Sequence, residues 1–569
     1  MRAVSAALRS HPSAFMTGAR WTVVLGCLFA GAYLYAFPYQ ATLNNPNENV
    51  RFYMTAALVE SGTYAIDAPR ARWGWVNDAA IHDGHVYSVK APGTSLLGVP
   101  GYAAYTALCR STGRAYDRSE ALWVCRVTAS ILPTLAGIYL FYAFLRRRGY
   151  PPVLLLATTI SVWLGSLLYG YGMLFVSHTL SAVVAFAAFA FLYEVERGER
   201  RASLLSAAAH GALAAAVTWF EYPGVVCSAA LFGYALYALR GLPLRAAFVL
   251  GGVLPALSVM HFQRSAFGSA FTPGHRFVET AAFRAAHEQG LYGAVGPSAE
   301  ALYGLLLDPG AGLFPLTPLC WFALYGAVHL CRARQTRAAG VTVCALCVLS
   351  VLAIASMNNW RGGWTIGPRY LAVCVPFLGF AALHGLSQLA QRAPVWAEGA
   401  ALGCSAAALV ASGIPSAYYP HLPPELTRPL PQLFAPLIAH GFAPLNFGNV
   451  LGVWGGASML PLLGIALVLL VCTLVSAEKP AAVGGIALLT AALCLLPLWI
   501  RPRAEPGVQK AVAFVTGRFF PSGHDLAARL HASLRAAGAV ADPRDWESLR
   551  QLYLAQGRER EAAQAAQRR

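Results

Sequence analysis

Residues 458–500, SMLPLLGIALVLLVCTLVSAEKPAAVGGIALLTAALCLLPLWI, decide the fold. Two apolar runs, 458–476 and 482–500, are parted by a short polar turn that carries Lys479. Each matches the length, about 20 mainly apolar residues, at which a helix crosses a bilayer. A helix also satisfies all the backbone groups of a segment away from water. Working outward, similar runs occur near 21–37, 121–145, 152–173, 178–195, 203–220, 223–239, 245–261, 312–331, 339–357, 371–390 and 396–415. The expected fold is an all-α polytopic membrane protein of about thirteen transmembrane helices.

Composition agrees. Of 569 residues, 57% are hydrophobic and 12% charged, and the mean hydropathy is +0.52. A water-soluble surface needs about 25% charged residues, which excludes a soluble globular enzyme. The net charge of +17 does not indicate a nucleic-acid partner, because Lys and Arg lie between apolar runs rather than on one basic face or arm. The charge reads as topology. Arg146–Arg148, Arg197 with Arg200 and Arg201, Arg240 with Arg245, Arg332 with Arg334 and Arg337, Arg392 and Lys479 make every second loop basic. The positive-inside bias puts those loops and the N-terminus in the cytoplasm. Counted as a span, the apolar stretch 94–109 would reverse that alternation, so it is expected to be a juxtamembrane or re-entrant helix covered by protein.

Four large outer segments follow, 38–120, 262–311, 357–370 and 416–457, with the tail on the same side. The expected organisation is a membrane domain over 1–500, whose first outer loop is 38–120, and a small basic helical extracytoplasmic tail over 501–569. In the tail, Trp546, Leu549, Leu552 and Tyr553 have the spacing of an amphipathic helix, whereas 556–569 is polar enough for disorder. The basic stretch Met1–Arg20 reads as the flank of a retained first span rather than a cleaved signal. The cysteines fall mostly inside apolar runs, so neither a disulfide framework nor a zinc site is indicated, and the CxxC of Cys344 and Cys347 has no nearby histidine.

Polar residues are densest in the first outer loop. There Asn44-Asn45-Pro46-Asn47-Glu48-Asn49-Val50-Arg51-Phe52-Tyr53 is followed by Asp67, Asp78, His82, Asp83, His85, Tyr87, Ser88, Lys90 and Pro92. A loop of this length between spans is usually functional or disordered, and its aromatic and apolar content argues for the former. Glu48 to Glu60 reads as a helix stopped by Ser61-Gly62-Thr63. A second polar stretch, Asn359-Trp360-Arg361-Gly362-Gly363-Trp364-Thr365-Ile366-Gly367-Pro368-Arg369-Tyr370, stands at the outer mouth of a span. A guanidinium at membrane depth costs about 2.5–3.5 kcal/mol at a helix centre and less near the interface, so Arg369 needs a partner. A lipid phosphate suits its bidentate fork; the alternative is an Arg snorkelling within an aromatic belt.

The run Pro46-Asn47-Glu48-x-x-Arg51-x-Tyr53, then Gly84-His85-x-Tyr87-x-x-Lys90-Ala91-Pro92-Gly93 leading into an apolar helix, resembles the first periplasmic loop of GT-C fold glycosyltransferases that use lipid-linked sugars. The likeness is to the protein O-mannosyltransferase and lipid A aminoarabinose transferase group, and the 359–370 stretch resembles bacterial relatives of that branch. The resemblance spans the first 380 residues or so and implies a GT-C-like fold. It also implies transfer of a sugar from a polyprenyl-phosphate-linked donor to a hydroxyl of a glycan, lipid or protein, at the outer face of the bacterial inner membrane. Such chemistry needs a carboxylate to take the acceptor proton and cations to hold the leaving phosphate.

Glu48 is the candidate base. The family usually has an Asp directly before it, where this chain has Asn47, so Asp78 and Asp83 are the other candidates. Arg51, Lys90 and Arg369 are the expected phosphate contacts, with Tyr53, His85, Tyr87, Trp364 and Tyr370 as further substrate-binding candidates, and His275 and Arg276 behind them. His178 falls where the relatives carry an acid, sometimes near a metal. It is either a ligand for a divalent metal or a hydrogen-bonded residue at a helix start. Glu221 is either an outer acid or a helix cap before Pro223. The competing classes are a transporter or flippase of a lipid-linked substrate and a non-catalytic partner in surface-polysaccharide assembly. Against transport, the spans hold few ionisable residues near their middles and no duplicated half.

Overall fold

A computed structural model describes residues 19–39, 43, 45–290, 293–439, 441–500, 506–519, 543–555 and 559–567. Most of the basic N-terminal stretch and nearly half of the tail therefore lie outside the described residues.

The chain is a predominantly helical, multi-pass membrane protein with one two-stranded hairpin among the described residues. Among the described residues eight helices are long and apolar enough to cross a membrane: Arg118–Arg146, His178–Glu196, Leu242–Phe267, Arg337–Ala355, Arg369–Ala390, Pro394–Tyr418, Gly455–Val475 and Pro480–Trp499. Shorter apolar helices, Arg20–Tyr35, Pro152–Trp163, Leu204–Phe220, Tyr222–Ala238 and Leu430–Ala439, stand beside them. With lipid as apolar as the side chains, close contact between such helices depends on small residues. Where Trp321–Arg332 crosses Val375–Ala390, a Cβ on Gly326 would lie 1.7 Å from the Ala381 carbonyl oxygen.

Two expected spans are not continuous. The run 312–331 is broken into Leu313–Leu316, a tight turn Pro318–Cys320 and Trp321–Arg332. Pro315 and Pro318 cannot donate, and the residue before a proline is driven out of the helical region, as Thr317 is at φ −134°, ψ 73°. The run 152–173 ends as a helix at Trp163 and restarts at Leu167. Ser166 there is extended, and its hydroxyl accepts from Leu168 N at 3.1 Å, capping the short helix Leu167–Gly172. The stretch 94–109 forms the helix Gly93–Thr112, packed on the loop helix Pro46–Ser61 and absent from the set apolar enough to cross. The tail's Pro543–Ala555 buries Trp546, Leu549 and Tyr553, as their spacing predicts. The expectation of disorder over 556–569 is corrected for Glu559–Ala566, which is a helix packed on Pro543–Ala555 with Ala562 and Ala565 buried.

The loops sort onto two ends. The segments expected outside pair with one another. Ala36 bridges Asn446, Ala80 bridges Val278, and Ala294 bridges Met357. Thr365 and Leu422 exchange backbone hydrogen bonds of 3.1 and 3.3 Å, and Arg70 meets Glu279 at 2.9 Å. The arginine-bearing loops gather elsewhere, with Arg147 on Glu194, Arg148 on Glu199 at 3.1 Å, and Arg197 on Gln335 at 3.2 Å. The helix His178–Glu196 runs from one set to the other, so roughly 28 Å separates them.

Candidate functional site

The first loop presents its cations through two devices. One is the helix Pro46–Ser61. Proline at its first position lacks only a donor that would be orphaned anyway, and Gly62, at φ 64°, closes it in the left-handed region. Its carboxylate Glu48 is wholly buried, with both oxygens 2.6 Å from the equally buried Arg126 guanidinium. Phe175 N also donates to it at 2.7 Å. One turn on, Arg51 is 3% exposed and donates to Asn47 and to Ser177 Oγ, the latter at 2.9 Å.

The second device is the hairpin Ala79–His82/His85–Ser88. Its two-residue turn, Asp83-Gly84, has φ of 50° and 79°, the left-handed pair that suits the twist of the strands. Asp78 and Lys90 flank the open end, where the ammonium is 3.1 Å from the carboxylate. Asp83 occupies the opposite end, roughly 16 Å away along the strand, with its side chain 86% exposed.

The 359–370 segment supplies the other wall. Tyr171 and Thr365 hydroxyls meet at 2.7 Å. Arg369 is 8% exposed and lies over the Tyr370 ring at 5.1 Å, donating to its hydroxyl at 3.3 Å. Gly362 makes room for it: at φ 73° a side chain is strained, and a Cβ would stand 2.7 Å from Arg369 Nε. His178 lies beside Tyr171, ring centroids 4.7 Å apart, with Nδ1 2.6 Å from Glu221 Oε1. His421, also buried, pairs Nδ1 with the Tyr39 hydroxyl at 2.8 Å.

These groups form one electrostatic neighbourhood. Arg51 feels Glu221, Asp78 and Arg369, and His421 feels Arg369 and His178. Burial pulls the Arg51 guanidinium down to about 10, opposed by Glu221 and Asp78, so it stays charged at neutral pH. Withdrawal from water would raise the Asp78 carboxyl, but Lys90, Arg369 and Arg51 outweigh this and hold it below its ordinary value. Burial, then Arg369 and His178, push His421 well down. Burial, then His287 and Lys90, push His275 down to about 3. Among the described residues no carboxylate lies within 4 Å of the Arg51 or Arg369 guanidinium, and Arg51 Nε, Arg369 Nε, His178 Nε2 and His421 Nε2 are buried without a hydrogen-bond partner. Each such group costs about 1–3 kcal/mol.

The sequence-predicted residues divide accordingly. Arg51, Asp78, Lys90, Arg369, Tyr370 and His178 come together. Glu48 is adjacent but consumed by Arg126. Asp83 is not brought in, and neither is His85, whose side chain is 61% exposed and 3.3 Å from Asp67. Tyr53 belongs to the loop's own apolar core, under Arg118 at 5.4 Å, and Tyr87 packs edge-on to Phe267. Trp364 meets Phe514 of the tail helix Pro506–Phe519 at 5.4 Å. His275 neighbours His287, ring centroids 4.7 Å apart. Among the described residues no three His, Cys, Asp or Glu side chains are placed to share a metal ion, so no donor set supports the metal role for His178. Glu221 makes no side-chain cap, and its carboxylate serves His178 instead. Sequence reasoning missed Arg126, Tyr171 and His421. Arg126 carried a signal, since a charge inside an apolar run needs a buried partner.

Fold and site together define a polytopic helical membrane protein with a cluster of buried cationic groups towards one end of its helices. No family model matches the chain, and no curated protein matches it either. Among solved structures, ArnT from Cupriavidus metallidurans in the apo state is similar at a TM-score of 0.44, with 16% identity over 88% of this chain and 80% of that one.

Proposed function

We propose that the chain is a bacterial inner-membrane glycosyltransferase that moves a sugar from a polyprenyl-phosphate-linked donor to an acceptor hydroxyl at the outer face. One observation carries this reading: two buried guanidiniums, Arg51 and Arg369, lie close enough to feel each other's charge, with no carboxylate within 4 Å of either among the described residues. An uncompensated buried charge is strongly destabilising, so a partner anion of matching geometry belongs there. A phosphate accepts from both forks, and the surrounding apolar helices suit a lipid chain attached to it.

In this reading Arg51 and Arg369 hold the phosphate and stabilise the charge that grows on it as the sugar leaves. Lys90 adds a third cation, oriented by Asp78, and Tyr370 steadies Arg369 through its ring. Glu48 positions rather than reacts: tied to Arg126, it fixes the helix that aims Arg51. The acceptor is a glycan, lipid or protein hydroxyl.

The test is mass spectrometry of lipids that co-purify with the detergent-extracted protein, wild type against Arg369→Ala. A polyprenyl phosphate or its sugar adduct in the wild type, lost in the variant, is the expected result and identifies the donor. Bulk phospholipid alone in both samples would make Arg369 an interfacial anchor and overturn the reading.

A further inference from the structure

We propose that His178, held by Glu221, takes the proton from the acceptor hydroxyl. The inference rests on the transferase reading and deepens it. The need is plain from the carboxylates. Both Glu48 oxygens are engaged by Arg126, Asp83 stands at the hairpin tip, and Asp78 is paired with Lys90 and held low by three cations. Position 47, where the resembling families carry an acid, is asparagine. None of the three carboxylates that the sequence offers as a base stands free in the cluster: Glu48 is tied to Arg126, Asp78 to Lys90, and Asp83 lies at the hairpin tip.

His178 meets the requirement. It is 2% exposed and opens the helix His178–Glu196 beside the cationic cluster. Its Nδ1 lies 2.6 Å from Glu221 Oε1 without the alignment of a hydrogen bond, and the proposal places the proton on Nδ1, which leaves the lone pair on Nε2. Nε2 is buried and has no hydrogen-bond partner among the described residues. Glu221 is set for this task, because its backbone is extended at φ −153°, ψ 116° and its side chain leaves the following turn uncapped. The preceding residue, Ser177, accepts from Arg51, and Tyr370, next to Arg369, lies 6.1 Å from the imidazole. A base and a phosphate clamp therefore share one wall. The charged and titratable groups facing the imidazole are Glu221, Arg51, Arg369, His421, Tyr171 and Tyr370.

The step balances without a further reactant. The acceptor O–H proton passes to His178 Nε2, and the oxygen's electron pair forms the bond to the anomeric carbon. The bond from that carbon to the phosphate oxygen breaks, and its pair leaves on the polyprenyl phosphate held by Arg51 and Arg369. Glu221 stabilises the imidazolium until the proton is released, acting as a positioning residue through His178.

The full-length protein in detergent serves for the test, with His178→Gln, Glu221→Gln and Arg369→Ala. Native mass spectrometry with undecaprenyl phosphate reads the phosphate clamp, and nitrogen-15 histidine NMR, with His178→Gln giving the assignment, reads the tautomer. Transfer is followed over pH 5–9 with undecaprenyl-phosphate glucose and mannose as donors and a membrane extract as acceptor. Undecaprenyl phosphate is expected to bind the wild type, His178→Gln and Glu221→Gln alike, and to be lost from Arg369→Ala. Transfer should fall about 10²–10⁴-fold in His178→Gln. In Glu221→Gln it should fall less, with the acid limb of the pH profile moved to lower pH. Transfer by His178→Gln within threefold of wild type would overturn the proposal. So would a wild-type His178 protonated on Nε2, a readout that decides the matter even if neither donor is used. Failure of the wild type to bind undecaprenyl phosphate, with the expected tautomer present, would instead count against the transferase reading.

Discussion

Glu48 and Arg126 show what a single residue's surroundings do to its role. Both side chains are fully buried, and each is the other's compensation. Removing one member of such a pair typically costs about 3–5 kcal/mol, because the other is left charged and unpaired. Glu48→Gln is therefore expected to lower the melting temperature sharply in detergent, and Glu48→Met with Arg126→Leu to recover much of the loss. A Glu48→Gln protein that melts like wild type would remove the structural role. The residue was legible in the sequence as important. Its partner was not, since Arg126 lies 78 positions away and only folding brings them together.

At the scale of elements, the hairpin Ala79–Ser88 separates two aspartates that the sequence presents as equals. Asp78 stands at the open end against Lys90, whereas Asp83 stands at the tip in water. Asp83→Asn is expected to change sugar transfer by less than twofold and Asp78→Asn to lower it more than about tenfold through misplacement of Lys90; equal losses in a transfer assay would contradict the placement. Helix crossings make a second case. A side chain at Gly326 would strike the Ala381 carbonyl, so Gly326→Leu should destabilise by at least about 1–3 kcal/mol. A melting curve unchanged by that substitution would mean the helices part easily. The apolar runs foretold most helices, but the breaks at Pro315–Pro318 and at Ser166 depend on local backbone chemistry that a hydropathy window averages away.

For the whole molecule, burial of neutral histidines in a cationic surrounding predicts an acid response. Unfolded, His275 and His421 titrate near their ordinary value of about 6.5; folded, His275 is pushed down to about 3 and His421 is also lowered strongly. The unfolded chain then binds more protons as pH falls below about 6.5, so stability is fullest above that pH and declines towards pH 4. Thermal melts in detergent across that range should show the decline, and His421→Gln and His275→Gln should each flatten it. An unchanged slope would assign acid sensitivity to other groups. By itself the sequence determined that this is a helical membrane protein and that its polar residues concentrate in a few long segments between apolar runs, because hydrophobicity and loop charge are sums over local composition. Tertiary structure alone decided which polar residues meet. It locked Glu48 away, set Asp83 apart, and joined Arg51, Arg369 and the His178–Glu221 pair from distant segments into one cluster. Hydrogen bonds and ion pairs act over a few ångströms, and which groups come that close is settled by the path of the chain.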